Sequence, residues 1–257
     1  MKKIEQATIL KNECYVNNIY DMVIFAPEVA NIAKSGQFIN VYTGKSDMIL
    51  PRPISLCEIN KEEGTLRLLY QVVGKGTQYF STLPKKSNIQ ILGALGNGFY
   101  IDENHKNHIL IGGGIGVPPM LELAKNLQGN IHIFIGVKSD PILVKEFQEI
   151  GVTVTIATDD GSYGIHGTVL DAIQKEQPLA DMIYACGPKV MLKAVSEWAE
   201  QVQIPIQVSM EERMACGIGA CVGCAIKIKK KNTNDWENLK VCKDGPVFWG
   251  NEVIWNE

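Results

Sequence analysis

The sequence predicts an antiparallel β-barrel, then a parallel α/β domain, and finally a small cysteine-rich lobe. Three observations support this fold class. Short runs rich in β-branched residues fill the first ninety-odd residues, strand and helix patterns alternate from His108 onward, and four of the seven cysteines lie beyond Met210. We expect the three regions to span residues 1–97, 98–208 and 209–257.

The overall composition excludes several classes of function. The chain has 257 residues, of which 46% are hydrophobic, enough for buried cores. A net charge of −3 gives no electrostatic reason to expect binding to nucleic acid or to an anionic membrane. The first residues lack the apolar segment of a signal peptide, and no apolar run is long enough to cross a bilayer. We therefore expect a cytoplasmic protein.

The barrel is predicted from four apolar runs, "YDMVIFAP", "QFINVYTG", "LRLLYQVVG" and "NIQILGALG". Turn-forming stretches such as "NKEEG" separate them at intervals of roughly ten residues. Closely spaced strands without helical periods between them favour an antiparallel barrel or a sandwich.

Two stretches of this region have the chemistry of an anion site. In "RPIS", Arg52 lies beside a proline on a strand, and a guanidinium can grip a phosphate through its planar fork. In "GKGTQYFSTL", Gly76 and Thr77 open a short helix, which offers backbone N–H groups to a phosphate. Each also has a simpler explanation, a surface ion pair for Arg52 and a helix cap for Thr77.

The α/β domain is predicted from four strand–helix units. Its strands are "HILIGG", "NIHIFIGV", "VTVTIAT" and "DMIYAC", and its helices are "PPMLELAKNL", "ILVKEFQEI", "TVLDAIQKE" and "VMLKAVSEWAEQ". Uncharged apolar strands in such units indicate a parallel sheet covered on both faces. We expect "IPIQVSM" to be the last strand of this sheet.

A glycine loop joins the first strand and helix of this domain. It departs from the dinucleotide-binding fingerprint, because Gly114 and Gly116 fit but two prolines follow, Pro118 and then Pro119 at the position of the third glycine. The loop therefore predicts either a nucleotide phosphate site or a tight structural turn, and the four strand–helix units favour the former.

Two other strand ends point to the same crevice, since ligands of such sheets bind at the carboxyl ends of the strands. Asp160 and Gly161 follow the third strand. Cys186, Gly187 and Pro188 follow the fourth. Taken alone, Cys186 fits a small core residue as well as a functional thiol.

The C-terminal cysteines allow three interpretations. Cys216, Cys221 and Cys224 have the spacing C-x4-C-x2-C, and Cys242 follows after a spacer of seventeen residues. Disulfides are disfavoured in a reducing compartment. Structural zinc usually uses paired knuckles, and Cys242 has no neighbouring cysteine. The spacing favours a [2Fe–2S] cluster, and the intervening glycines would let backbone N–H groups face the sulfurs.

The other thiols and the spacer carry less information. We expect Cys14 and Cys57 to be ordinary buried thiols. The lysine-rich part of the spacer, "KIKKKNTND", is interpreted as a surface insertion.

These features together resemble the ferredoxin–NADP reductase superfamily, through "RPIS", "GGGIGVPP" and "CGP". Within it, the chain is similar to the electron-transfer subunits of NAD-dependent, type 1B dihydroorotate dehydrogenases. The resemblance covers nearly the whole chain. It is most specific in "SMEERMACGIGACVGCAIK" and "VCKDGPVF", and "GALGNGF" and "DDGSYG" also match.

The resemblance implies one FAD, one [2Fe–2S] cluster and NAD. The implied FAD contacts are Arg52, Pro53, Ile54, Ser55, Leu69, Tyr70, Gln71, Gly76 and Thr77. The implied and candidate NAD contacts are Gly112, Gly113, Gly114, Gly116, Pro118, Asp160, Gly161, Cys186, Gly187 and Pro188. The implied cluster ligands are Cys216, Cys221, Cys224 and Cys242. NAD is favoured over NADP by the resemblance alone, because Lys138 and Ser139 suit a 2′-phosphate whereas Asp140 would repel one.

The resemblance also implies a partner and a path for electrons. The partner is an FMN-containing subunit that oxidises dihydroorotate in pyrimidine synthesis, assembled as a heterotetramer of two subunits of each kind. Electrons would pass from FMN through the cluster and FAD to NAD⁺, and no acid–base residue for orotate chemistry is expected in this chain. A rival group, the FAD subunits of NADH-dependent ferredoxin reductases, has aspartate at the first cluster position, where this chain has Cys216. A nucleotide-binding module with structural zinc remains the non-enzymatic alternative.

Overall fold

The structure is a computed structural model that describes residues 2–230, 233 and 235–255. The strands are β1 Lys3–Val16, β2 Ile19–Phe25, β3 Phe38–Tyr42, β4 Arg52–Ser55, β5 Glu58–Asn60, β6 Thr65–Gln71, β7 Asn88–Leu95, β8 Asn107–Gly113, β9 Asn130–Val137, β10 Thr153–Thr158, β11 Ile165–His166, β12 Met182–Cys186, β13 Ile206–Ser209, β14 Ala225–Lys229, β15 Trp236–Lys240 and β16 Val247–Trp249. The helices are α1 Pro27–Ile32, α2 Lys75–Ser81, α3 Pro118–Asn126, α4 Val144–Glu149, α5 Val169–Glu176 and α6 Lys189–Gln201.

The first sheet is antiparallel and has the strand order β4-β3-β7-β1-β2-β6-β5. It curls until β4 contacts β6, which makes the half-barrel form of the predicted barrel. Its concave side is filled by side chains such as Ile9, Ile24 and Ile91, all fully buried. The long strand β1 was not among the predicted runs, because charged residues interrupt its apolar positions.

The second sheet has the order β11-β10-β9-β8-β12-β13-β16 and is parallel except at β16. Its central strand β8 is buried from His108 to Gly113, which accounts for its apolar sequence. The prediction that the strand after α6 ends the sheet was wrong, because the chain returns and pairs β16 antiparallel with β13. None of the helices in the described part of the chain has the length and apolar character needed to span a bilayer.

The cysteine-rich lobe shares its core with the second sheet. Cys224, Ile226 and Cys242 pack in the same buried cluster as Val208 of β13 and Phe248 of β16. The hairpin β14–β15 completes the lobe. The predicted lysine-rich surface insertion includes residues 231, 232 and 234, which lie outside the described residues.

The two cysteines of the barrel differ from each other. Cys57 is fully buried, as predicted, and burial raises the pKa of its thiol well above the usual range. The prediction for Cys14 was wrong, because this residue is exposed and its Sγ lies 3.2 Å from the Asn17 carbonyl oxygen. Cys14 lies close to the turn that joins β1 to β2, and the pairing of the two strands is irregular between Cys14 and Val16.

A network of charges joins the half-barrel to the α/β domain. Arg67 on β6 donates two hydrogen bonds to Asp21, of 2.9 and 3.0 Å, and one of 2.6 Å to Glu58. Its guanidinium also pairs with Glu146 on α4 at 3.2 Å, and Glu58 pairs with Lys125 on α3. The Asp21 side chain is only 3% exposed, so the ion pairs with these partners offset the free-energy cost of burying a carboxylate. The network therefore helps to fix how the two sheets face each other.

We expect the Arg67→Leu variant to lose about 3 kcal/mol or more of unfolding free energy, because it leaves the Asp21 carboxylate buried without its main partner. Equilibrium unfolding in urea measures the loss. Lys3→Leu is the control, since its pair with Glu28 is exposed and should contribute about 0.5 kcal/mol or less. Equal losses in the two variants would contradict a structural role for the Arg67 network.

Candidate functional site

The glycine loop lies directly against the end of β12, as predicted. A 3₁₀ turn, Gly114–Gly116, leads from β8 into α3. A Cβ atom added at Gly116 would lie 2.3 Å from the Cys186 carbonyl oxygen, and one at Gly113 would lie 2.8 Å from Pro188 Cδ. These two positions therefore require glycine so that the two candidate nucleotide segments can pack together.

Gly114 faces the open side of the same loop. Its φ of +53° lies in the left-handed region, and a Cβ atom there would meet nothing within 4 Å. This glycine leaves the backbone accessible to a ligand at the N-terminal end of α3, which begins at Pro118. The loop thus combines a packed inner side with an open outer side.

Cys186 ends β12 beside Gly112 of β8 and Ser209 of β13. Burial raises the pKa of its thiol to about 12, and a hydrogen bond with Ser209 opposes this only in part. The thiol therefore stays neutral at physiological pH, which argues against a nucleophile or a metal ligand. A cavity of about 110 Å³ lies next to it, lined by Gly187, Pro188, Lys189, Leu192, Met210 and Glu211.

Asp160 and Gly161 form a turn after β10. The Asp160 carboxylate accepts hydrogen bonds from the Ser162 hydroxyl and the Ser162 N–H, at 2.6 and 2.9 Å, which lower its pKa. Gly161 has φ +71° and lies against His166. The structure thus gives Asp160 a local role in shaping the turn, and its contact with a nucleotide stays a prediction.

We expect Gly116→Ala to weaken NADH binding and to cost about 1–3 kcal/mol of stability, because the added methyl group would press on the Cys186 carbonyl. Fluorescence titration with NADH and urea unfolding measure the two effects. Gly136→Ala is the matched control on β9, where the added Cβ atom would meet Val169 at an ordinary 3.4 Å. Unchanged NADH affinity in Gly116→Ala would contradict the placement of the nucleotide on this loop.

The half-barrel brings Arg52 and the start of α2 together. A Cβ atom added at Gly76 would lie 1.9 Å from Arg52 Nε, so the guanidinium lies across the first turn of the helix. Arg52 Nη1 also donates to the Met48 and Leu50 carbonyls, at 3.3 and 2.5 Å. The Thr77 hydroxyl accepts the N–H groups of Val73 and Gly74. A guanidinium and a helix N-terminus side by side form a cradle suited to a pyrophosphate.

The predicted residues of β6 face different ways. Leu69 and Tyr70 are buried, and the Tyr70 hydroxyl donates to Asn12 Oδ1 at 3.0 Å, so this ring belongs to the barrel core. Gln71 is exposed at the end of the strand. The strand β5 pairs with β6 only as far as Arg67. Beyond Arg67 the edge of β6 has no β5 partner, so residues 69–71 would contact a flavin mainly through their main-chain groups.

On β4, Pro53 is exposed, whereas Ile54 and Ser55 are half-buried next to Arg52. The four residues of "RPIS" thus form one short strand at the edge of the sheet. Their position beside α2 agrees with a shared flavin site, and the contacts of these residues with a flavin stay a prediction.

The cysteine loop turns backbone N–H groups toward sulfur. The Gly219 N–H donates to Cys242 Sγ at 3.1 Å, and the Cys221 N–H donates to Cys216 Sγ at 3.3 Å. Burial alone would raise the pKa of Cys216, but N–H donors from Cys221, Ile218 and Ala220 lower it to about 6. The loop is thus built to stabilise negative charge on sulfur.

The thiols of the loop lie close enough to affect one another. Cys216 interacts with Cys221, and Cys242 interacts with Cys224 and Cys216; burial together with Cys224 raises the pKa of Cys242 to about 12. Among the residues that the structure describes, no three His, Cys, Asp or Glu side chains converge on one point. A two-iron cluster takes two thiolates on each iron and therefore does not need all four thiols around a single centre.

Two residues that sequence reasoning missed hold this loop. Asn40 on β3 donates to the Cys216 carbonyl at 3.2 Å, and Lys240 donates to the Gly219 carbonyl at 2.7 Å. Asn40 is 176 positions from Cys216 in the sequence, and no local pattern marks it.

The comparisons with known proteins agree with this geometry. A family model described as the iron-sulfur cluster binding domain of dihydroorotate dehydrogenase B matches residues 211–254. Two relatives are described as dihydroorotate dehydrogenase B (NAD(+)), electron transfer subunit. The one from Geobacillus sp. (strain WCH70) is 39% identical and covers 99% of this chain and 100% of its own length. The one from Listeria monocytogenes serotype 4a (strain HCC23) is 42% identical and covers 98% of this chain and 97% of its own length.

Solved structures extend the comparison. An NADH-dependent reduced ferredoxin-NADP oxidoreductase superposes with a TM-score of 0.86 at 30% identity, covering 98% of this chain and 90% of that chain. The Amycolatopsis cytochrome P450 reductase GcoB shares the fold, with a TM-score of 0.66 at 18% identity, covering 78% of this chain and 66% of that chain. Because relatives at about 40% identity match over nearly their whole length, the chain belongs to the family of dihydroorotate dehydrogenase B electron transfer subunits.

Proposed function

We propose that this protein carries electrons between a dihydroorotate-oxidising subunit and NAD, by way of a [2Fe–2S] cluster and FAD, in pyrimidine biosynthesis. The observation that carries the proposal is the adjacency of the candidate sites. The cysteine loop is bonded to β3 through Asn40, and β3 pairs with β4, the strand of Arg52. On the other side, the cavity beside Gly187 reaches Met210, where the cysteine-rich lobe begins.

Different residues of the chain would bind FAD, NAD and the cluster. Arg52, Gly76 and Thr77 would hold the FAD pyrophosphate, and Ser55 with the main chain of residues 69–71 would hold the ring system. The Gly112–Pro118 loop, the Asp160–Gly161 turn and residues 186–188 would hold NAD against it. Cys216, Cys221, Cys224 and Cys242 would ligate the cluster.

FAD, when bound, exchanges two electrons with a nicotinamide and single electrons with an iron–sulfur centre, so its place is between the two. The protein would position the nicotinamide, the flavin and the cluster and would set the electrostatic environment around them. The neutral Cys186 thiol and the closely packed glycines would bring the nicotinamide close to the flavin, while N–H groups of residues 218–221 would stabilise charge on the cluster.

The partner that we propose is an FMN-containing catalytic subunit, joined in a heterotetramer of two copies of each chain in the cytoplasm. The names of the relatives support a catalytic partner. Dihydroorotate chemistry would then take place on that subunit, and this chain would supply no acid–base residue for it.

An anaerobic visible spectrum of the purified chain, with flavin, iron and sulfide assayed before and after stoichiometric NADH, tests the proposal. We expect flavin and cluster absorbance that bleaches when NADH is added. A colourless protein that contains zinc would contradict the proposal and support a nucleotide-binding module instead.

A second candidate function is a reductase that delivers electrons from NADH to ferredoxin. The superposition on an NADH-dependent reduced ferredoxin-NADP oxidoreductase favours it. Rapid turnover with ferredoxin, and no complex with a dihydroorotate-oxidising subunit on co-purification, would support this alternative.

A further inference from the structure

The carbonyl groups of the cysteine loop are held outward by side chains from outside the loop. Lys240 Nζ donates to the Gly219 carbonyl at 2.7 Å, and Asn40 Nδ2 donates to the Cys216 carbonyl at 3.2 Å. Lys2 Nζ lies 3.4 Å from the Ile218 carbonyl in a more exposed contact. The outer side of the loop is thus bonded at three points.

The geometry of the peptide group links these outer bonds to the sulfurs. In a trans peptide the C=O and the following N–H point in opposite directions, so a carbonyl held outward turns the next N–H inward. The Ile218 carbonyl, which Lys2 contacts, shares its peptide with the Gly219 N–H, which donates to Cys242 Sγ. The Gly219 carbonyl, which Lys240 bonds, belongs to that same glycine. The Cys216 carbonyl, which Asn40 bonds, belongs to the residue whose Sγ accepts the Cys221 N–H. The side-chain donors therefore act on residues that take part in the N–H bonds to sulfur.

The buried position of Asn40 lowers the stability of the fold. This residue is fully buried, and its Oδ1 atom has no hydrogen-bond partner among the described residues. An unsatisfied buried acceptor is destabilising, so packing alone would favour an apolar side chain here. Asn40 is also the β3 partner of Pro53 on β4. It therefore stands where the proposed flavin strand meets the cysteine loop.

We infer that Asn40 and Lys240 are positioning residues of the iron–sulfur site. By bonding to the Cys216 and Gly219 carbonyls, they fix the main chain so that the Cys221 N–H stays on Cys216 Sγ and the Gly219 N–H stays on Cys242 Sγ. Such N–H groups stabilise the more negative, reduced cluster and so raise its reduction potential. The inference rests on the proposed function, because it requires that the four cysteines hold a cluster.

The lysines offer a test that separates geometry from charge. Lys240→Met and Lys243→Met each remove one positive charge beside the loop, but among the described contacts it is the Lys240 ammonium, and not that of Lys243, that donates to a loop carbonyl. The Lys243 stem packs against Gly219, and methionine keeps that packing. In the purified holoprotein, we expect Lys240→Met to lower the cluster's midpoint potential further than Lys243→Met does. It should also release iron to a chelator about tenfold faster.

The asparagines offer an independent test. Asn40→Leu removes the donor to Cys216, whereas Asn97→Leu removes donors to the Asp244 and Val247 carbonyls of the same lobe without touching the cysteine loop. Only Asn40→Leu should change the potential and the EPR signal of the reduced cluster. Should Asn40→Leu fail to fold, the lysine pair decides the question.

Three results have distinct meanings. Equal shifts in the two lysine variants would show that charge alone acts, and equal shifts in the two asparagine variants would show a general loosening of the lobe. Either would overturn the inference while leaving the proposed function in place. A wild-type chain without iron and sulfide would instead overturn the proposed function.

Discussion

Replacing Cys242 with alanine is expected to yield a purified protein without its iron–sulfur cluster. Cys242 is fully buried, accepts the Gly219 N–H and interacts with Cys224. A [2Fe–2S] cluster is held by four protein thiolates, and this variant would leave only three of the four proposed ligands. Iron and sulfide assays, together with the visible spectrum, measure the loss. Flavin content should persist, because Arg52 and Gly76 lie on other elements.

Cys14→Ala is the matched control for this variant. Cys14 is an exposed cysteine of the half-barrel, and its Sγ lies near the Asn17 carbonyl oxygen rather than near the cysteine loop. Wild-type iron and sulfide content is expected in Cys14→Ala. Retention of iron and sulfide at the wild-type ratio in Cys242→Ala would contradict the ligand assignment.

The second large effect is expected from Gly76→Ala, which should lower FAD affinity about tenfold or more. The added methyl group would occupy the space of Arg52 Nε, 1.9 Å away. Because the Arg52 guanidinium is the free end of a long side chain, it can move aside without unfolding the protein, but it then leaves the first turn of α2. Losing a hydrogen bond to a charged group costs about 1.5–3 kcal/mol. Reconstitution of the apoprotein with FAD, followed by flavin fluorescence, gives the dissociation constant.

Gln78→Ala serves as the control on the same helix, since Gln78 is exposed and its side chain bonds to Ser81. Arg52→Ala should reproduce the effect of Gly76→Ala. The double variant should be little worse than either single one, because both changes remove the same contact. A phosphate site shared by Arg52 and Gly76 would be refuted if the losses of FAD-binding free energy in the two single variants added fully in the double variant. Wild-type FAD affinity in Gly76→Ala would refute it as well.

Features that depend on local sequence were predictable. The alternating strand and helix periods gave the α/β units, and "RPIS" and "GKGTQYFSTL" do form β4 and α2. The spacing of Cys216, Cys221 and Cys224 indicated a shared loop because it depends on residues close in the chain. The packing of Gly116 on Cys186 follows from the rule that parallel strands gather their carboxyl ends at one edge.

Features that depend on distant contacts were not predictable. Strand β16 has only three residues, and its place beside β13 depends on tertiary pairing. Arg67 binds carboxylates from three separate elements, β2, β5 and α4, and its sequence neighbours give no sign of this. In both cases distant partners decide: Ser209 pairs with Val247, and Asp21 and Glu146 are 46 and 79 positions from Arg67 in the sequence.

The pairing of β13 with β16 has a consequence for how the protein acquires iron. Residue Ser209 lies opposite Val247, so the segment between them is closed at its base by the sheet rather than hanging as a free tail. The conformational entropy of closing this segment is therefore lost when the sheet folds, before any metal binds. A newly made chain is thus expected to hold its cysteine loop between two paired strands before iron arrives, so that insertion of the metal orders the loop locally and does not have to bring its ends together.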